Sequence, residues 1–525
     1  MATGEDGARM TSGAGGEGEG AGELGEEVPE ELDARLVPAA FCCWGATIVA
    51  LVGGWRIGIF TAVGCLLLGV GVWALLIRSG GWRRGAGWVM LAAFSVGAGF
   101  AGAGAWHEWR VAGHPLRAVG KGVRVQIAVV VTDDPKVLAE KKFGGNKVML
   151  RGDLVEFRAG GKIVRGGGAV VVLAPEAGWR GLLPGQEVVF RSRVANAGRA
   201  DLTVAILRAE GPPMRVGEPP WWQRAAGQVR GDFATAAQRS LPGDAAGLLP
   251  GLVIGDTSRL PDRVRENFRE TDLAHLTAVS GANITILLAA VLVSMRVLTV
   301  DPRVGAVAAG IALMMFVILA RPSPSVLRAA VMGAVALLAL CTGRRKQALP
   351  ALCTAIIVLL GWSPQLAMDA GFALSALATA GLIVLAPGWS DWLRAHGWWR
   401  IPADAFAVAA AAFVVTTPVV IALTGHLSLV AIVVNVLVEP VIAPITIVGA
   451  LGAILSCCWT PIAELVLYCT ASPLWWLLTV AERFAALGAS ITLPTGVRSG
   501  VVAAVLCGLL LAGLRPRAPR PDTPS

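Results

Sequence analysis

Membrane-length apolar runs alternate with short charged turns over most of this chain, and one long stretch breaks the pattern. Reading for runs of about 17 to 25 apolar residues predicts helical spans over 37–52, 57–77 and 85–106. After position 220 it predicts nine more, over 276–298, 304–320, 326–341, 349–361, 371–386, 405–423, 428–455, 462–481 and 501–514. Between 107 and 220 the period falls from that of a helix to two. GVRVQIAVVVT, NKVMLRGDLVEF, GAVVVLA, EVVFRSRV and LTVAILR are five short strand candidates, separated by Gly, Pro and Asp turns. Five such strands in about a hundred residues fit a small barrel of the OB type.

The pattern therefore predicts a polytopic α-helical membrane protein of about twelve spans carrying a small all-β, OB-like barrel. Its expected divisions are a tail at 1–36, three spans in 37–106, the barrel at 107–220, a transmembrane domain at 221–514 and a basic tail at 515–525.

Composition agrees with this. Apolar residues make up 55% of the chain, charged residues 15%, and the mean hydropathy is +0.65, which excludes an ordinary soluble globular protein. The Gly/Glu-rich start (GAGGEGEGAGELGEEVPEELD) has too few apolar groups to bury a core, and it lacks the basic segment of a signal peptide. It is expected to be a disordered acidic tail. Nine cysteines lie in apolar segments without CxxC or His-linked spacing, so they are expected as small core residues, with no metal.

Loop charge sets the expected orientation, because Lys and Arg stay cytoplasmic. Arg78, Arg83 and Arg84, then Arg344, Arg345 and Lys346, then Arg394 and Arg400, and finally Arg515, Arg517 and Arg520 all fall on one side. That side is cytoplasmic if the N-terminus is inside, in the plasma membrane. The barrel is then extracytoplasmic. It holds 18 Lys plus Arg against 11 Asp plus Glu, a net of +7. Lys121, Lys136, Lys141, Lys142, Lys147 and Lys162 are candidate phosphate contacts, and Phe143, Phe157, Trp179 and Phe190 are the aromatics available for stacking on bases. A solvated, mildly basic barrel is the plainer reading of the same charges.

Candidate chemistry gathers where TDLAHLTAVSGANITILLAAV begins. Pro261 is expected to open an amphipathic helix with Val264 and Phe268 on one face, leading into His275, Ser280, Gly281 and Asn283 at the mouth of a span. Polar groups at that depth line water or pair with other helices. Arg321 and Arg328 flank RPSPSVLR at the outer end of another span. They either guide phosphates or snorkel and pair with a carboxylate, for which Asp369 is the candidate. Asp369 and Glu439 are candidate intramembrane carboxylates, and Pro440 is expected to interrupt the helix carrying Glu439.

GLVIGDTSRLPDRVRENFRETDLAHLTAVSGANITIL resembles the signature of the ComEC/Rec2 competence family, a G-D pair and amphipathic helix followed by H-L-x-A-x-S-G. RPSPSVLRAAVMG, WSPQLAMDAGFALSALATAGL and TTPVVIALTGHLSLVAIVVNVLVEP resemble later family blocks in the same order. The resemblance covers roughly 37–514. It implies an inner-membrane channel passing single-stranded DNA inward during natural transformation. His275, Ser280, Gly281, Asn283, Arg321, Ser323, Ser325, Arg328 and Asn435 are the motif residues expected along its path. Asn283 stands where many members have His. Many members also continue into a metallo-β-lactamase-like domain with an H-x-H-x-D-H motif, which the five histidines here do not form. The expected partners are therefore single-stranded DNA, the lipid bilayer, a DNA receptor, a cytoplasmic motor and a separate nuclease, with no cofactor.

Two other readings remain open. Asp369 and Glu439 would suit a proton-coupled small-solute transporter. His275 and Ser280 would suit a membrane hydrolase only if the helix breaks between them, because residues five apart point in different directions. No G-x-S-x-G, Walker loop or HExxH is present, so no enzyme activity is expected. His426 and Asn435 are expected to hydrogen-bond between helices, and Gly255–Asp256 adds nothing catalytic by itself.

Overall fold

A computed structural model describes residues 33–78, 83–138, 147–159, 162–196, 202–277, 279–342 and 347–513. Most of both expected tails, together with Lys141, Lys142, Phe143, Arg344, Arg345 and Lys346, lies outside these residues.

The chain opens with helix α1 (Val37–Arg78), which has a break at Gly54. A straight 42-residue helix would be about 63 Å long, twice the roughly 30 Å of hydrocarbon it would have to cross. The break resolves this. Gly54 has φ 81° and ψ 171°, a region open essentially to glycine alone. The chain then reverses against helix α2 (Arg83–Ala112). Before Gly54, a Cβ placed on Gly97 would sit 3.1 Å from Cys42, and one on Gly104 would sit 3.0 Å from Ala50, so the two helices run the same way. After it, Gly58 meets Ala105 and Gly69 meets Phe94, each at 2.8 Å, so they run opposite ways. The two segments expected from the sequence are the arms of a helical hairpin.

All five expected strands form. They are β1 (Arg124–Val131), β2 (Lys147–Ala159), β3 (Ala169–Pro175), β4 (Glu187–Asn196) and β5 (Ala205–Ala209). β1 pairs with β2, and β2 with β3, antiparallel; β3 pairs with β5 parallel; β5 pairs with β4, and β4 with β1, antiparallel. The last pairing closes the barrel and leaves none of the five as a bare edge. Alternate inward positions such as Ile127, Val129, Leu150 and Val172 are almost wholly buried. Phe157, Trp179 and Phe190 also fill the interior, with the Trp179 and Phe190 rings 4.9 Å apart edge-on. These three rings cannot stack on bases, which corrects the expectation from composition.

Three shorter strands, Lys136–Leu138, Lys162–Arg165 and Arg215–Val216, extend the same sheet. From residue 221 on the chain is mainly helical: α3 (Trp221–Ser240), α4 (Gly243–Ile254), α5 (Asp262–Glu270), α6 (Gly281–Val297), α7 (Pro302–Ala320), α8 (Pro324–Thr342), α9 (Ala348–Trp362), α10 (Ala370–Val384), α11 (Ala386–Ala395), α12 (Arg400–Thr424), α13 (Ala431–Ser456), α14 (Thr460–Tyr468), α15 (Ala471–Ala486) and α16 (Val497–Gly513). A short antiparallel ribbon, β6 (His426–Ser428) with β7 (Ser490–Thr492), ties the start of α13 to the segment before α16.

Among the described residues, six helices are long and apolar enough to cross a membrane. The number rises to eight if the pairs bent by 41° (α10–α11) and 48° (α14–α15) each count as one span. The twelve runs expected from the sequence are all helical, but α6, α9 and α16 are short, and α1 is counted once despite its fold at Gly54. The expected interruption at Pro440 does not occur, since α13 continues through both Pro440 and Pro444. A proline's missing bond is tolerated in apolar helices whose neighbours support the freed carbonyl. Only Cys43 and Cys353 among the cysteines are buried, and Cys341, Cys457, Cys458 and Cys469 are exposed on helix surfaces.

Gly54→Ala is expected to destabilise the protein by about 1–3 kcal/mol through backbone strain. Gly64→Ala, a helical position with equal open space, should be neutral or slightly stabilising. Thermal unfolding of the purified protein in detergent separates the two, and equal midpoints for both variants would refute the fold-back.

Candidate functional site

α4 is twelve residues long and buried from Ala245 to Ile254. Its C-terminal end stops inside the protein, where the last carbonyls need donors. Gly255 turns the chain in the left-handed region (φ 71°), returning its N–H to Gly251. A side chain there would meet Val279 at 3.0 Å. The Asn283 amide donates to the Leu252 carbonyl at 2.9 Å, and the Arg230 guanidinium donates to Ile254 at 3.2 Å. The same Arg230 nitrogen reaches Leu319 in the last turn of α7 at 2.9 Å, so one cation closes two helix C-termini.

Arg230 also faces two carboxylates, Asp134 of the barrel at 3.5 Å and Asp256 at 3.7 Å. Arg321 pairs with the same Asp134 at 3.0 Å and donates to Gln223 of α3. The carboxylate partner of Arg321 is thus in the barrel; it is not Asp369, as the sequence had suggested. Asp134 joins the β-domain to the helical domain through two largely buried arginines. Burial holds the Arg230 guanidinium below its ordinary range, and Asp256 and Asp134 offset this only in part.

Below this knot lies the polar mouth. Ser280 occupies the N-cap position of α6, but its oxygen accepts from no backbone N–H there; its hydroxyl instead donates to the Asn283 side-chain oxygen at 3.1 Å. Ser325 donates to the Val279 carbonyl at 3.0 Å, and its oxygen lies 3.3 Å from that of Ser323. These bonds hold 279–283 and 323–325 together. Arg328 is 6% exposed. Its Nε donates to Ser375 at 2.9 Å, one Nη approaches the Met332 sulfur at 3.2 Å, and the other would lie 3.4 Å from a Cβ on Gly281. Among the described residues it forms no ion pair. A buried guanidinium without a carboxylate, beside the positive end of a helix, is costly unless an anion comes to it.

The other expected site residues are placed differently. His275 is exposed on a helical turn, 2.9 Å from the Asp272 carbonyl, and does not meet Ser280. The chain does break between them, but each takes another partner, which removes the nucleophile–base pair. Asn435 bonds its own helix at Ala431, a correction to its expected interhelical role. Asp369 caps α10 by accepting from the Phe372 N–H at 2.9 Å, and Glu439 is exposed on α13. Lys121, Lys136, Lys147 and Lys162 are all exposed on the barrel, outside the knot. His426 does bridge elements, reaching Glu270 of α5 at 3.1 Å. The Ser490 hydroxyl, with His426 beside it, holds the Glu270 carboxyl below its ordinary range.

Residues 252–519 match the family described as Competence protein, slightly more than half of the chain. The protein belongs to this family. The matched region opens inside α4 and takes in the Gly255–Asp256 turn, the mouth and Arg328. Over 144 residues the chain is 33% identical to ComE operon protein 3 of Bacillus subtilis (strain 168), covering 27% of this chain and 19% of that relative. No solved structure matches the chain. Arg230, Gln223 and Asp134, which join the family's motif to the barrel, lie before the matched region, and sequence reasoning passed over them. One signal was present for Arg230. It shares the helical face of the buried Ala226, Phe233, Ala234 and Ala237, a place where an arginine needs partners.

Replacing Arg230 with Gln strips two carboxylates and two helix ends of their cation, and is expected to cost about 3–5 kcal/mol. Asn283→Ala leaves one buried carbonyl unpaired, for about 1–3 kcal/mol. Unfolding midpoints in detergent should fall in that order, with Lys147→Ala unchanged. A midpoint for the Arg230 variant at the wild-type value would refute the knot.

Proposed function

We propose that this competence protein passes single-stranded DNA inward across the cytoplasmic membrane. The observation that carries the reading is Arg328, a buried cation lacking a carboxylate partner among the described residues, set at the uncapped mouth of α6. A phosphodiester is an anion that would complement it, and a channel site must hold its ion loosely enough to release it. Ser280 and Ser325 rigidify the surrounding mouth, while Ala282 and Thr285 present small, exposed positions on the first turns of α6.

The barrel is of the OB kind in this reading, which its strand order β1-β2-β3-β5-β4, its closure by β1 and its parallel β3–β5 pair support. It stands outside the membrane with the N-terminus of the chain inside. Its exposed lysines attract phosphates without base stacking, because its large described aromatics are internal. The protein acts as a conduit and not as an enzyme. Moving each phosphate inward against an inside-negative potential costs about 2.3 kcal/mol per 100 mV, so a cytoplasmic motor is a required partner. A DNA receptor and a separate nuclease complete the assembly.

The test is uptake of labelled double-stranded DNA into a nuclease-protected compartment. It compares a deletion strain with the same strain re-expressing wild type, Arg328→Lys or Arg328→Ala at matched membrane levels. A charge-assisted contact of about 1.5–3 kcal/mol corresponds to a loss of roughly ten- to a hundredfold for the alanine variant, with partial retention by lysine. Uptake that survives deletion in a competent host, or an alanine variant equal to wild type, would overturn the reading.

A further inference from the structure

A second polar site lies apart from the mouth, where the turn after α5 meets α12 and the β6–β7 ribbon. Asp272, Thr416, Thr417, His426 and Ser428 share the lining of a small cavity there. Asp272 holds a left-handed backbone (φ 60°), which a short polar residue tolerates where few others do. Among the described residues its carboxylate has no hydrogen bond and no ion pair; only its backbone bonds, to Arg269 and His275. Burial pushes this carboxyl up, against the lowering influence of His275 and His426. Ser428 is 4% exposed, and its hydroxyl oxygen is buried without a partner.

The remaining groups turn their hydrogens elsewhere. Thr416 donates to Ala412 at 2.8 Å and Thr417 to Phe413 at 2.6 Å, both within α12, which leaves their oxygen lone pairs free. His426 uses Nε2 on Glu270, and Glu270 is already engaged by Ser490. Beside the apolar Phe413, Val420 and Leu427, the cavity is lined by one carboxylate, three hydroxyl oxygens and an imidazole edge, a polar set rich in acceptors and poor in donors. An unpaired, half-buried carboxylate carries a cost, and the orphan buried Ser428 hydroxyl adds to it.

We propose that this cavity binds one sodium-sized monovalent cation through the Asp272 carboxylate and the Ser428, Thr416 and Thr417 oxygens. Hard cations take oxygen ligands, and divalent ions are normally held by more than one carboxylate or by several waters. A single carboxylate balances a single charge. Occupancy would pin the turn 271–277, which leads directly into the Ser280 mouth. The proposal stands independently of the DNA reading, because cation binding is measured without nucleic acid.

The experiment uses the full chain in lipid nanodiscs at constant ionic strength, replacing choline chloride stepwise with sodium chloride and following the thermal unfolding midpoint. Wild type should rise saturably with sodium, as mass action requires of a ligand bound only by the folded state. Asp272→Asn should lose the sodium dependence while matching or exceeding the stability of wild type in choline. Ser428→Ala should keep the shift with an apparent sodium affinity about tenfold weaker. If the asparagine variant does not fold, the serine variant decides the matter through that affinity. The proposal fails if wild type shows no sodium-specific shift, if the midpoint responds to pH alone, if Asp272→Asn retains the full shift, or if the serine variant binds sodium as wild type does. A cavity that merely holds water gives the first of these results.

Discussion

A helix that ends inside a protein must find donors for its last carbonyls, and the end of α4 is where the rest of this structure is anchored. Arg230 and Asn283 supply those donors. Arg230 reaches past α4 to the end of α7 and faces Asp256 and Asp134, while Asn283 belongs to the first turn of α6. Four helices (α3, α4, α6 and α7) and the barrel are therefore fixed by the satisfaction of one buried terminus. Such a network is stable only when complete, since each member removed leaves others unpaired in a poorly solvated place.

The functional geometry follows from that constraint. Because Asn283 faces α4, the start of α6 is held beside α8, and Arg328 comes to rest against Gly281. Arg230 and Arg321 are paired with Asp134 and Asp256, whereas Arg328 has, among the described residues, only a hydroxyl and a thioether. Arg321 locks the barrel onto the helices, and in the proposed reading Arg328 keeps its charge available for an anion.

Much of this was legible in the sequence, for identifiable reasons. The spans and the five strands announce themselves by period, and the motif order pointed to the competence family. What escaped was long-range. α4 was overlooked because twelve apolar residues fall short of a membrane span. A sequence cannot rank carboxylates by distance, so Asp369 is as good a candidate partner for Arg321 as any, and the true partner lies 187 residues away. Composition does not say which side of a strand faces in, so the barrel aromatics pass for stacking surfaces until the fold turns Phe157, Trp179 and Phe190 inward. Asp369 and Glu439 are indistinguishable as apolar-segment carboxylates in the sequence, yet one caps a helix and the other lies exposed on α13.

The proposed passage takes an anionic strand past the mouth of α6, beside Arg328. It is tested most directly by a photoreactive amino acid placed at Ala282, exposed one residue from Gly281, and irradiated during uptake of labelled DNA by living cells. A second strain carries the same group at Ile311, exposed on α7. The expected result is a covalent adduct with the incoming strand at 282 and none at 311. An absence of adduct at 282 in cells that still take up DNA, or equal yields at the two positions, would contradict it.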